Sequence, residues 1–224
     1  MSLFYLLIFV SIAITLGAQI LVSARYKKFS EVKNSKGMSG VEAAQEILKR
    51  NGLDNVYVVE TRGYLSDHFD PGQNVVRLSS AVYHGKSLSS VAIAAHEVGH
   101  AIQFKEGNFF MKLRKFIFPV VALSSKFGYI AILIGAIFGI MQLFWLGIVM
   151  LFAILFFQLV TLPVEFDASR KALVNLEKCN ILLSDEKRGA SKVLEAAALT
   201  YVAGLVTTLL EIVRLLLMVM GNRD

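Results

Sequence analysis

The sequence contains a single cysteine, Cys179, among 224 residues. One cysteine excludes an intramolecular disulfide, and it excludes a zinc site built from several thiolates. Charge is also scarce, because Asp, Glu, Lys and Arg make up 18% of the chain, where about a quarter is usual. No charged residue occurs in 1–24 or in 127–164. Two independent soluble domains are excluded, since the remaining polar chain suffices for about one small domain.

Apolar residues replace the missing charges. They make up 55% of the chain, or about 62% with the 16 glycines included, compared with roughly 45–50% in soluble domains. A helix of about 20 uncharged apolar residues is long enough to cross the hydrocarbon core of a bilayer. The sequence therefore predicts an α-helical, multi-pass integral membrane protein whose environment is a lipid bilayer.

The first apolar block, residues 1–24, is predicted to be an N-terminal transmembrane anchor with its N-terminus outside. A cleaved signal peptide is the alternative, because the small residues that end at Ala24 suit a signal peptidase. No positive charge precedes the block, whereas a basic cluster that starts at Arg25 follows it. This charge order favours the anchor.

Two further blocks follow. Residues 116–163 are interrupted only by Lys126, and about 48 residues are too many for one span, so they predict a transmembrane helical hairpin. Residues 199–224 predict a C-terminal helix that contains Glu211 and Arg214, which can pair at their i, i+3 spacing. This helix either spans the membrane with its ion pair or lies at the membrane surface.

The basic residues predict the topology. Fourteen Lys and Arg residues lie in 25–115 and six lie in 164–198. The positive-inside rule places both segments on the cytoplasmic side, and a hairpin between them returns the chain to that side. The two segments can then fold into one small domain. The same placement accounts for the net charge of +6, so nucleic acid is not an expected partner.

The polar segment 25–115 combines helix and strand patterns. A capping box that begins at Ser39 opens a helix that ends near Gly52. Residues 56–61 and 74–79 have the composition of short strands. Residues 87–104 have the period of a helix. We therefore expect a small α+β unit in the cytoplasm.

The predicted helix 87–104 contains His96-Glu97-Val98-Gly99-His100, the pattern HExxH. The i, i+4 spacing places the two imidazoles on one face, where both can bind one Zn²⁺. Glu97 then stands beside the metal as a general base. A surface helix that carries these residues by chance is the alternative. The apolar residues around the motif argue against it, because three ionisable side chains there need a metal or other partners.

A catalytic zinc site usually takes a third protein ligand and keeps one position open. A third histidine of the type HExxHxxGxxH is absent, since positions 103 and 106 are Gln and Glu. Glu165 is the preferred ligand, because it directly follows the apolar hairpin and so reaches the same side of the membrane as His96. An ordinary interfacial charge is the alternative for Glu165. Asp167 is its nearest rival, but at i+2 it faces away from Glu165 on a helix.

These motifs resemble the bacterial YugP-type membrane zinc metallopeptidases, also described as neutral zinc metallopeptidases. The resemblance covers nearly the whole chain and is carried by GYLSDHFDP, NVVRLS, VYHG, AAHEVGHAIQ, LPVEFDASRKA and KVLEAAALTYVAG. The motif order also resembles HtpX-like and CAAX prenyl membrane proteases, in which a zinc-binding Glu in an ExxxD pattern follows HExxH after membrane helices. The resemblance implies a zincin-like, specifically gluzincin-like, catalytic domain with His96, His100 and Glu165 as zinc ligands and Glu97 as the base.

The chain departs from the ExxxD pattern at Ser169, which stands where that pattern has Asp. Either Ser169 or Asp167 is expected to orient a ligand histidine. A tetrahedral oxyanion needs a second electrophile, for which the sequence offers His68, Tyr201 and Arg170 without deciding among them. An extended substrate can pair with an exposed sheet edge. The predicted edge strand is Asn74-Val75-Val76-Arg77-Leu78, with an interior strand as the alternative.

The predicted function is that of a zinc-dependent endopeptidase with one Zn²⁺ per chain. It would hydrolyse membrane or membrane-associated proteins at the cytoplasmic face of the bacterial cell membrane. Zinc lowers the pKa of water to about 7, and Glu97 moves the proton to the leaving amine. A non-catalytic zinc-binding scaffold is the alternative, but a structural site normally has four ligands. A transporter has only the Glu211 and Arg214 pair in its favour. The oligomeric state is not predicted.

Overall fold

The structure is a computed structural model and describes residues 3–221. This part of the chain contains seven helices and three strands: α1 (Leu3–Ser30), α2 (Gly40–Arg50), β1 (Tyr57–Thr61), β2 (His68–Asp70), β3 (Val75–Ser79), α3 (Ser80–Tyr83), α4 (Leu88–Lys105), α5 (Phe109–Phe138), α6 (Met141–Lys178) and α7 (Ser184–Gly221). The chain divides into two compact units. The apolar unit comprises 3–19, 112–163 and 199–221, and the polar unit comprises 20–111 and 164–198.

Helices α1, α5, α6 and α7 are long and apolar enough to cross a membrane. The predicted, mostly helical fold with apolar candidate membrane helices is therefore confirmed. Helix α7 is continuous through the apolar block whose placement the sequence left open. In this helix Arg214 Nε donates to Glu211 Oε2 at 2.9 Å, and the Arg214 guanidinium lies 4.9 Å from the ring centre of Phe4. Glu211 and Arg214, the two charged residues in the apolar block of α7, thus have partners.

Small residues allow α5 and α6 to pack side by side. Helix α5 ends at a left-handed glycine, Gly139, with φ of 68°, a conformation that glycine adopts without strain. A Cβ atom on Gly147 would lie 2.6 Å from the Gly128 carbonyl oxygen, and one on Gly135 would lie 2.5 Å from the Phe144 nitrogen. The two helices therefore contact each other through backbone atoms, which only glycine permits at this distance.

The polar unit begins with the predicted capping box. The Ser39 side chain accepts a hydrogen bond from the Glu42 backbone, and the Ser39 N–H donates to Glu42 Oε2 at 2.7 Å. Helix α4 begins in the same way, with the Ser87 side chain accepting from Ser90 N at 3.1 Å. Both helices bury an apolar face in one core. This core includes Ala43, Ala44, Ile47, Val76, Leu78, Val91, Val98, Ala172 and Leu176.

The sheet has the strand order β1-β3-β2, with β1 parallel and β2 antiparallel to β3. The prediction of a substrate-binding edge at 74–78 is wrong, because β3 is paired on both sides. The physical reason is burial: Val76 and Leu78 are both 0% exposed and belong to the core. The three-residue strand β2 was not predicted. The free edges in the described sheet belong to β1 and β2.

Candidate metal centre

Helix α4 presents both histidines of the HExxH motif on one side. His96 and His100 are one turn apart, and their ring centres are separated by 4.8 Å. His100 is 9% and Glu97 8% exposed, because α4 is covered on most of its surface. Ionisable groups are costly to bury without partners, so the motif requires compensation from another element.

Helix α6 supplies that compensation because Gly99 lets it approach α4. A Cβ atom at position 99 would lie 2.6 Å from the Ala168 carbonyl oxygen and 3.2 Å from the Ala168 Cα. Glu165 lies almost one turn before Ala168 and is 2% exposed. The glycine inside the motif thus allows the two backbones to meet and brings the Glu165 carboxylate to the histidines.

The three side chains converge on one point. Glu165 Oε2 lies 3.3 Å from His96 Nε2 and 3.7 Å from His100 Nε2, and the three ligand atoms are all within 4.8 Å of one another. Donor atoms bound at 2.0–2.2 Å to one tetrahedral ion lie roughly 3.4 Å apart. The residues therefore fit a Zn²⁺ ion, and they form the only such cluster of His, Cys, Asp or Glu found between residues 3 and 221.

A buried glutamine fixes the orientation of His100. Gln103 is 0% exposed, and its Nε2 donates to the Val164 carbonyl at 2.8 Å and to Asp167 Oδ2 at 2.9 Å. Both partners are acceptors, so the amide nitrogen must face them. Gln103 Oε1 then accepts from His100 Nδ1 at 3.0 Å. This chain of hydrogen bonds places a proton on His100 Nδ1.

A neutral His100 with its proton on Nδ1 directs the lone pair of Nε2 at Glu165. The facing atom is a carboxylate oxygen, which is also an acceptor. Two buried acceptors at 3.7 Å repel each other unless a proton or a metal cation lies between them. The hydrogen-bond network around His100 therefore prepares a site for a cation.

The ionisation of the two groups agrees with this arrangement. Burial lowers the pKa of His100, but its hydrogen bond to Glu165 and the negative charges of Glu97 and Glu165 outweigh burial and raise the pKa overall. Burial likewise raises the pKa of the Glu165 carboxyl, but hydrogen bonds to His100 and His96 lower it well below its ordinary value. Without a metal, positive charge on His100 balances the carboxylate.

The structure places Ser169 beside the other histidine. Ser169 Oγ lies 3.2 Å from His96 Nδ1, on the side of the ring away from Glu165. Asp167 reaches His100 only through Gln103, and it also contacts Arg170. Arg170, one of the oxyanion candidates, is therefore paired with Asp167, and its side chain is 73% exposed.

The other two oxyanion candidates, His68 and Tyr201, are more distant in sequence from the His96, His100 and Glu165 cluster, one before it and one after it. His68 lies in β2, where its Nδ1 is 2.8 Å from the Ser66 carbonyl oxygen. Strand β2 packs on α4 through Phe69 and Phe104, whose ring centres are 6.0 Å apart. Tyr201 belongs to the apolar unit.

Sequence reasoning missed Gln103. A signal was present, because position 103 is three residues after His100 on an apolar helix, so a polar side chain there shares its face. Its partners Val164 and Asp167 are 61 and 64 residues away in the chain, which the pattern does not reveal.

Fold and site together define a helical membrane protein with a candidate His-His-Glu metal centre. The chain belongs to the family described as "Putative neutral zinc metallopeptidase", whose family model matches residues 4–220. It is 42% identical, over 99% of both chains, to the protein named "Putative membrane protease YugP" from Bacillus subtilis (strain 168). The resemblance to YugP-type proteins is thus confirmed. No solved structure matches the chain.

Proposed function

We propose that the protein is a zinc-dependent endopeptidase that cleaves membrane or membrane-associated proteins. The observation that carries this proposal is the convergence of His96, His100 and Glu165 through facing acceptor atoms. Family membership supports the choice of zinc among the cations. The three ligands leave one position of a tetrahedral ion open for a substrate or water, as catalytic sites require.

In the proposed hydrolysis, three residues bind the metal and a fourth acts as the general base. His96, His100 and Glu165 would hold one Zn²⁺ ion per chain, which supplies a Lewis acid that polarises the scissile carbonyl and acidifies water. Glu97 is the base that takes the proton from the attacking water and delivers it to the leaving amine. Its position supports this role, because it is buried beside His96 and its charge acts on His100.

We propose that the substrate binds along the free edge of β2. Of the three oxyanion candidates, His68 lies on a free sheet edge that packs on α4 through Phe69. A peptide that pairs with an edge strand is held by backbone hydrogen bonds and thus with little sequence preference. We therefore assign His68 to orienting the substrate or its oxyanion.

We place this chemistry at the cytoplasmic face of the bacterial cell membrane. The support is the distribution of basic residues, which lie mainly in 25–115 and 164–198. Most of them belong to the polar unit, 20–111 and 164–198. Four apolar helices support a multi-pass membrane protein. The positive-inside rule assigns the basic segments to the cytoplasm.

The decisive experiment compares Glu97→Gln with His96→Ala in the purified full-length protein. Zinc content is measured by elemental analysis, and turnover is measured on an unfolded membrane-protein substrate with and without a chelator. Glu97→Gln should keep zinc and lose about 10²–10⁴-fold in turnover, because it removes only the base. His96→Ala should lose both. Glu46→Gln is the control, since Glu46 forms an exposed pair with Arg50 on α2.

Two outcomes would contradict the proposal. One is Glu97→Gln protein with the turnover of the unaltered chain. The other is a fully zinc-loaded chain that cleaves no substrate while chelation unfolds it, which would identify a zinc-binding scaffold.

A further inference from the structure

The turn between β1 and β2 exposes two large apolar side chains. Tyr64 is 69% and Leu65 49% exposed. Leu65 has φ of 54° and Gly63 has φ of 111°, so the chain reverses sharply here. A left-handed backbone is unfavourable for leucine. The turn therefore exposes the Leu65 side chain while holding the Leu65 backbone in a conformation that leucine rarely adopts.

Hydrogen bonds hold this turn in place. Asp67 Oδ1 accepts from the Ser79 N–H at 2.7 Å and from Ser79 Oγ at 3.0 Å. Ser66 Oγ donates to the Gly63 carbonyl at 3.2 Å. The base of the turn is thus tied to the end of the central strand β3. The exposure of Tyr64 and Leu65 is consequently a built feature of the polar unit.

The turn contacts α1 next to the end of its apolar run. The rings of Tyr64 and Tyr26 are edge to face with their centres 5.7 Å apart. Tyr26 is the second residue after Ala24, which is the last residue of the charge-free segment 1–24. Tyrosine is enriched at this level of membrane helices, where its ring meets the headgroups. The exposed turn therefore contacts α1 just after its charge-free segment, where a membrane-spanning α1 would be expected to meet the headgroups.

Most charged side chains that flank the contact in the chain are basic, and the acidic residue of the turn, Asp67, accepts hydrogen bonds from Ser79. Arg25, Lys27 and Lys28 follow the apolar run of α1, and Arg62 precedes the exposed pair in the turn. Basic residues beside a membrane helix are attracted to anionic headgroups. An apolar tip flanked by basic residues suits a lipid surface.

We propose that the turn 62–67 is a membrane-contacting loop, in which Tyr64 and Leu65 enter the headgroup region and Arg62 binds anionic headgroups. The loop gives the polar unit a second attachment to the bilayer, 38 residues along the chain from Tyr26. This inference does not rest on peptidase activity. A protein partner that covers the same tip is the competing occupant, and the experiment separates the two.

The experiment places a fluorescent probe at the tip. Trp145 is the single tryptophan of the chain, so Trp145→Phe gives a background into which Tyr64→Trp is introduced. The full-length protein is reconstituted into nanodiscs of phosphatidylglycerol and phosphatidylcholine. Bromine atoms on the lipid, near the headgroup end of the acyl chains, quench a nearby indole. We expect a blue-shifted emission and a loss of intensity with brominated lipid.

Tyr57→Trp in the same background is the matched control. Tyr57 is 68% exposed, and it lies at the opposite end of β1 from the turn, about 13 Å from Thr61 at the strand rise. Its emission should not respond to brominated lipid. Equal quenching at both positions would overturn the proposal. A blue-shifted probe at position 64 without quenching would also overturn it and would indicate a protein partner.

A second probe covers the case in which Tyr64→Trp does not fold. Leu65→Cys in a Cys179→Ser background carries a nitroxide, with Tyr57→Cys labelled as the control. We expect the label at 65 to collide more with oxygen, which partitions into lipid, than with a water-soluble nickel complex. A label at 65 with the aqueous profile of the label at 57 would contradict the membrane contact.

Discussion

Both units use glycine to bring two helices together, but the contact has a different consequence in each. In the apolar unit, a Cβ atom on Gly147 would lie 2.6 Å from the Gly128 carbonyl oxygen. In the polar unit, a Cβ atom on Gly99 would lie at the same distance from the Ala168 carbonyl oxygen. The first contact packs a hairpin, whereas the second also positions Glu165. The same close approach thus serves helix packing alone in the apolar unit, whereas in the polar unit it also brings the three candidate metal ligands together.

Two glutamines extend the comparison. Every polar atom of the Gln103 side chain has a partner in the polar unit. In the apolar unit, the Oε1 atom of Gln158 is buried without a hydrogen-bond partner, and so is Thr161 Oγ1. A buried polar atom without a partner costs about 1–3 kcal/mol. The polar unit therefore uses its buried amide to orient His100, whereas the amide oxygen in the apolar unit contributes no such bond.

The largest difference in zinc content and activity between the two units is expected from alanine substitution of Gly99 and of Gly147. Gly99→Ala must separate α4 from α6 by about 1 Å to restore normal contact, and a misplacement of that size can cost about 10²-fold in rate. We expect it to lose most zinc and activity. Gly147→Ala should lower the melting temperature while zinc content per folded molecule persists. Elemental analysis and thermal unfolding measure both effects. Full zinc content in Gly99→Ala would contradict the role assigned to this contact.

The glutamine pair should give an intermediate effect. Gln103→Leu removes the acceptor of His100 Nδ1 and the donor to Val164, so zinc affinity should fall by about 10–100-fold. Gln158→Leu removes an oxygen without a partner, so zinc affinity should stay constant and thermal stability should hold or rise. Competition with a chromophoric chelator gives the two dissociation constants. If both variants weaken zinc equally, the distinction between the two glutamines is wrong.

The smallest change in zinc affinity is expected from substitution of Ser169. Its hydroxyl lies 3.2 Å from His96 Nδ1, where a carboxylate would be a stronger acceptor for the ring N–H. Ser169→Asp should therefore tighten zinc binding a few-fold, and Ser169→Ala should weaken it up to about 10-fold. The same chelator competition measures both. A change in the opposite direction for either variant would show that the hydroxyl does not orient His96.

The sequence predicted those parts of the structure that depend on local patterns. Helix α4, the Ser39 capping box and the four apolar helices follow from short-range spacing and hydropathy. The HExxH spacing likewise implied that His96 and His100 share a face. Topology favours Glu165 as the third ligand, because a hairpin returns the chain to the side of the membrane where His96 lies, whatever the length of chain between them.

Long-range pairing could not be predicted in the same way. Strand β3 looked equally suited to an edge and to the interior, and only its pairing with both β1 and β2 decided between them. Strand β2 has three residues, too few to show an alternating pattern. The role of Gln103 depends on a carbonyl and a carboxylate more than 60 residues away, and a helix pattern does not encode such contacts.

The order of the ligands along the chain has a consequence for biosynthesis. Glu165 follows His96 by 69 residues, and all of α5 and most of the apolar part of α6 lie between them. A ribosome that has just made the HExxH helix has produced two ligands out of three. A chain that stops before Glu165 carries the motif but lacks the carboxylate and the Ala168 backbone against which Gly99 packs. Products that terminate earlier should therefore bind metal poorly, and α5 with the first part of α6 must be translated before the three candidate ligands can assemble.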